Sequence, residues 1–71
     1  MSESTYKLIE IVGTSKNSWE DAARGAVEAA AKSVKDLRVA EVVKMDMTIE
    51  DGKVAQFRVR ITLSFKYHPE D

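Results

Sequence analysis

Met45-Asp46-Met47-Thr48-Ile49-Glu50-Asp51-Gly52-Lys53-Val54-Ala55-Gln56-Phe57 is the stretch on which the fold turns. Two segments with a period of two meet at Asp51-Gly52. An Asp-Gly pair between alternating segments marks a hairpin, because both residues tolerate the positive φ that a tight turn needs. Upstream, Val39, Val43, Met45, Met47 and Ile49 alternate with Ala40, Lys44, Asp46, Thr48 and Glu50, which predicts a strand over 38–49. Glu41 interrupts its apolar row. Downstream, Ala55, Phe57, Val59, Ile61, Leu63, Phe65 and Tyr67 alternate with Gln56, Arg58, Arg60, Thr62, Ser64 and Lys66, which predicts a strand over 53–67. A two-residue Asp51-Gly52 loop would pair odd positions with even ones and set an apolar row against a polar one, so the pattern excludes that register. The expectation is therefore a three-residue loop, Glu50-Asp51-Gly52, pairing Ile49 with Lys53, Met45 with Phe57, Val43 with Val59 and Glu41 with Ile61. Lys44 would then oppose Arg58, with Asp46 diagonal to it.

Working outward, Ser18 precedes Trp19-Glu20-Asp21, an N-cap hydroxyl followed by acidic residues at the positive end of a helix dipole. From there Trp19, Ala22, Ala23, Ala26, Val27, Ala30, Ala31 and Val34 recur by threes and fours, predicting a helix over 19–35 with a narrow, mostly alanine face. Gly25 within it costs about 1 kcal/mol relative to alanine, and close packing is the simplest reason for it. At the start of the chain, Thr5 to Val12 reads as a strand over 5–12 closed by the turn-like Gly13-Thr14-Ser15. The order is β-α-β-β, an α+β fold. A crossover through the helix makes strands one and two parallel, so strand three fits between them as an antiparallel centre, in the order 1-3-2. One thin helix cannot cover the apolar face of such long strands. Surplus apolar surface and open edges call for association with further copies.

The chain supplies 71 residues, no cysteine and no Cys/His cluster, so neither disulfides nor a structural zinc can support so small a core. The expectation is a single domain over 1–71. Eleven basic against twelve acidic residues, a net charge of -1, argue against a nucleic-acid partner, and no apolar run is long enough for a membrane span. No leader precedes the first strand, and a cytoplasmic protein is the default expectation.

The sequence shows no nucleophile elbow, phosphate loop, zinc signature or calcium-loop motif, and an enzyme is not expected. His68 stands beside Pro69 in a polar tail and receives no role. Glu41, Asp46 and Glu50 offer hard oxygen ligands, but calcium takes six to eight, so carboxylates from several copies would have to meet. Trp19, Met45 and Met47 read as packing residues. A small module that adds a partner strand at its open sheet edge is a further reading.

Tyr6-Lys7-Leu8-Ile9-Glu10-Ile11-Val12-Gly13-Thr14-Ser15, the alanine-rich helix, Val39-Ala40-Glu41-Val42, Asp51-Gly52 and the Phe57 to Phe65 strand, taken in this order and spacing, resemble dodecins. The resemblance implies a β-α-β-β protomer whose sheet curls around its helix, assembled into a hollow homododecamer that binds and stores a small ligand without chemistry. Typical dodecins bind stacked flavin pairs; within a divergent branch, calcium has been associated with the fold instead. By the resemblance, the flavin-stacking tryptophan falls on Val39 and the glutamine that bonds the isoalloxazine edge falls on Arg58. Valine has no ring face, and loss of about 1–3 kcal/mol of stacking weakens binding by roughly one to two decades. Calcium held by Asp46, Glu50 or Glu41 across subunit contacts is the alternative, and an arginine at position 58 favours a phosphate-bearing ligand.

Overall fold

A computed structural model describes residues 4–68 of the chain. Its elements are β1 (Tyr6–Ser15), α1 (Trp19–Ala31), β2 (Leu37–Glu50) and β3 (Lys53–Lys66). The strands form one sheet in the order β1-β3-β2, with β3 antiparallel to both neighbours. This is the β-α-β-β arrangement with order 1-3-2 that the alternation implied.

β1 is longer than expected. Gly13, Thr14 and Ser15 do not form a turn; they stay in the sheet opposite Val59, Arg58 and Phe57. A Cβ built on Gly13 would lie 2.3 Å from the Ala22 carbonyl oxygen and 2.8 Å from the Ala26 Cβ. Gly13 is therefore where strand and helix touch backbone to backbone. Gly25 has no such role, because nothing stands within 4 Å of a Cβ placed there.

Ser18 caps α1 by accepting from the Asp21 amide at 3.0 Å. The helix ends at Ala31 rather than at 35, with the Ser33 and Val34 amides both donating to the Ala30 carbonyl. The chain then reverses through Asp36, at φ 61, to enter β2. Ala22, Val59, Ile61 and Leu63 form the buried core, with Ile9, Ile11, Trp19, Ala23, Ala26, Val27, Ala30 and Leu37 packed around it.

The hairpin differs from the expected register. Asp51 and Gly52, at φ 52 and 76, make a two-residue loop that pairs Glu50 with Lys53. Ala55 is then an extra residue on β3, between the pairs Ile49–Val54 and Thr48–Gln56. This bulge restores the matching of apolar rows that the parity argument required, but two residues away from the expected pairs: Met47 opposes Phe57 and Met45 opposes Val59. A second bulge leaves Val43 unpaired, so Val42 opposes Ile61, and Glu41 opposes Thr62 rather than Ile61. The bulge shifts the phase of β2 by one residue and so explains how Glu41 can sit in an apolar row: it lies on the polar face, as does Val39, which opposes Ser64.

The molecule is long and thin, 55 × 20 × 15 Å, with a radius of gyration of 14.8 Å against roughly 11 Å for a compact chain of 71 residues. It exposes 5450 Å², where a compact monomer of its mass exposes about 4,400 Å². The surplus is concentrated on β2, where Val39, Val42, Val43, Met45, Met47 and Ile49 are all open to solvent. Met45 and Met47 are thus not part of the core of the single chain. No described helix is long and apolar enough to cross a membrane.

Candidate functional site

The polar face of the β2–β3 hairpin gathers most of the residues singled out by the sequence. Cross-strand pairing sets Asp46 directly opposite Arg58, not diagonal to it. Arg58 Nε donates to Asp46 Oδ1 at 2.8 Å and Nη2 donates to Oδ2 at 2.9 Å, a two-pronged pair. Asp46 is anchored a second time through its backbone, since the Trp19 indole N–H donates to the Asp46 carbonyl at 3.0 Å. Trp19 in turn meets Phe57 edge to face, with ring centroids 5.0 Å apart. One side chain at the helix start thus ties α1 to both strands of the hairpin. The alternation of β2 did not reveal this contact, because it joins residues 27 apart.

Arg58 holds the Asp46 carboxyl below its ordinary value of 3.8, chiefly through the hydrogen bonds and then through charge, with Arg60 and Lys44 adding to the effect. The same contact stabilises the protonated guanidinium. Lys44 directly opposes Arg60, so two like charges face each other one rung from the Asp46–Arg58 pair. A carboxylate bonded at both oxygens has little left to offer a metal ion.

The other candidates lie apart. Glu50 stands at the hairpin tip opposite Lys53 and Glu41 stands opposite Thr62. Along β2, Glu41 and Asp46 are about 17 Å apart and Asp46 and Glu50 about 13 Å. Among the described residues, no group of three His, Cys, Asp or Glu could hold a metal ion. The described residues of one chain thus bring no set of calcium ligands together. Val39 is 59% exposed; it pairs six residues along β3 from Arg58, a separation of about 20 Å. One chain does not bring together the two residues that the resemblance to dodecins sets at a flavin position either, and the Trp19 ring is engaged by Phe57 and Asp46.

His68 is not a simple tail residue: its Nε2 lies 2.7 Å from Asp36 Oδ2. That contact, followed by the charges of His68, Arg38 and Lys66, holds the Asp36 carboxyl below its ordinary value of 3.8.

Comparisons with known proteins agree with this architecture. A calcium dodecin of Mycobacterium tuberculosis is 46% identical over 66 residues, 93% of each chain. A solved structure of that relative, described as a calcium-chelating immunodominant antigen with a novel calcium-binding site, superposes with a TM-score of 0.81 and covers 96% of this chain and 97% of its own. The dodecin of Streptomyces coelicolor is 37% identical, with a TM-score of 0.91 over 99% of this chain and 100% of that one. The dodecin of Streptomyces davaonensis is 30% identical, with a TM-score of 0.88 over 94% and 98% of the two chains. Residues 5–68 match the Dodecin family, and the chain belongs to it.

Proposed function

We propose that the chain assembles into a hollow homododecamer that binds a small ligand or ion and does not transform it. The observation that carries this reading is the row of exposed apolar residues on β2, on a molecule with roughly 1,000 Å² more surface than a compact monomer. Surface of that kind is stable in water when further copies cover it. The non-enzymatic part rests on the ionisable groups: among the described residues the shifted ones are Asp36, Asp46 and Arg58, and partners in exposed ion pairs account for each shift. The near-neutral charge balance supports a protein without a nucleic-acid partner, and the absence of cysteine is in keeping with the cytoplasm.

Calcium is the ligand best supported, because the relative that is 46% identical is a calcium dodecin. With the described carboxylates spread along β2, such a site would need carboxylates from several copies; Glu41 and Glu50 are exposed and open to such contacts, whereas Asp46 is already held by Arg58. The test is thermal unfolding of the assembled protein with calcium and with chelator. A calcium-dependent rise in melting temperature that the chelator reverses is expected; equal melting in both speaks against calcium.

Flavin is the second reading, favoured by membership in the dodecin family. Val39 offers no ring, and Arg58 already donates two hydrogen bonds to Asp46. Added riboflavin is therefore expected to keep its fluorescence at micromolar protein, and strong quenching would restore flavin as the ligand.

A further inference from the structure

Beyond the end of β3 the chain meets the α1–β2 turn through one polar contact. His68 Nε2 lies 2.7 Å from Asp36 Oδ2, while Arg38 Nη2 stands 4.0 Å from the other oxygen of the same carboxylate. The backbone joins the same segments: the Lys66 amide donates to the Asp36 carbonyl at 3.1 Å and the Tyr67 amide to the Thr5 carbonyl at 2.8 Å. The end of β3 is thus tied to the turn on one side and to the start of the chain on the other. Asp36 serves the tie twice, by its carbonyl and by its carboxylate. It sits at φ 61, a left-handed conformation that aspartate and asparagine adopt more readily than most residues.

The charges around this contact come from each neighbouring segment. Lys7 of β1, Lys35 of the turn and Lys66 of β3 line one concavity with His68, and Arg38 enters from β2. The described lining of that concavity includes no carboxylate, and the Lys7 ammonium is placed by the Tyr67 ring, 4.8 Å from its centre. Asp36 is therefore the carboxylate that faces these cations. Its carboxyl is held below the ordinary value of 3.8, first by the hydrogen bond with His68 and then by the charges of His68, Arg38 and Lys66. Histidine side chains gain their charge between about pH 5 and 8, a range in which Asp36 stays ionised. We propose that the Asp36–His68 contact is a pH-sensitive latch, which holds the end of β3 against the α1–β2 turn more tightly in mild acid than in mild alkali. In mild acid it is an imidazolium–carboxylate pair; in mild alkali it is a neutral hydrogen bond. The latch loosens as the pH rises through the histidine range, and separately as it falls through the lowered Asp36 value. The two side chains are 40% and 42% exposed, so the pair changes overall stability little and acts on local opening of this end of the sheet.

The test is hydrogen exchange, read residue by residue by mass spectrometry on the full chain in the state of assembly it adopts, with rates corrected for the intrinsic effect of pH. Protection of the Lys66 and Tyr67 amides is expected to be about threefold greater at about pH 5.5 than at about pH 8, without a matching change at Ile61 in the core. His68→Gln keeps a hydrogen-bond donor that does not titrate, and Asp36→Asn keeps a residue suited to the left-handed backbone. Each flattens the pH profile, whereas Lys16→Gln, away from this end, retains it. Equal protection at the two pH values in the unaltered protein, an unchanged profile in either His68→Gln or Asp36→Asn, or a parallel change at Ile61 would overturn the proposal.

Discussion

Asp46 shows how a single residue can be fixed from two sides, its carboxylate by Arg58 and its carbonyl by the Trp19 indole. The pair is exposed, so its value lies in geometry more than in stability. Because the native carboxyl titrates below its unfolded value, the contribution is present above about pH 4 and is lost as the pH falls through the lowered native value. Carboxyl NMR should place the Asp46 midpoint below 3.8 in the native protein, and Arg58→Gln should move it up towards the ordinary value. An unchanged midpoint in the variant would mean that Arg58 is not the cause. Gly13 is the second residue with a defined task, since any Cβ there collides with the Ala22 carbonyl. Gly13→Ala is expected to destabilise by on the order of 1–3 kcal/mol, read by chemical denaturation.

At the scale of elements, α1 is a short helix held by its cap and its alanine face. Ser18→Ala removes the hydroxyl that accepts from Asp21 and should cost about 1 kcal/mol. Gly25→Ala, in open space, should stabilise by about 1 kcal/mol, so the two glycines respond with opposite sign. Nothing in the local sequence separates them: Gly13 follows a run of β-formers and resembles a turn, while Gly25 lies in the small-residue stripe where close contact is anticipated. The hairpin teaches the same lesson. Alternation correctly demands that apolar rows match, but parity is satisfied equally by a three-residue loop or by a two-residue loop plus a bulge, and only the tertiary pairing selects the bulge at Ala55. The bulge at Val43 also resolves Glu41, whose position in an apolar row was visible but not interpretable without the shift in phase. The strand order and the helix start were legible because turn chemistry and periodicity are local. The Asp46–Arg58 pair was placed one rung off because it inherits its position from the bulge.

For the whole molecule, the decisive feature is a long strand most of whose apolar residues lie open within one chain, with Val39 at 59%, Met45 at 57% and Ile49 at 67% exposure. If the chain worked alone, Met45→Asp would be a surface substitution, within about 0.5 kcal/mol of neutral. In the proposed shell it places a charge in a buried contact, and the variant is expected to lose assembly and melt at a lower temperature, as light scattering and calorimetry would show. The candidate ligand positions point the same way, because neither Val39 with Arg58 nor Glu41, Asp46 and Glu50 converge within one chain. A site built from them is complete only between copies. Native mass spectrometry of the purified protein, without added ligand, tests this most directly. The account predicts a species of twelve chain masses, whereas a monomer at micromolar concentration would contradict it.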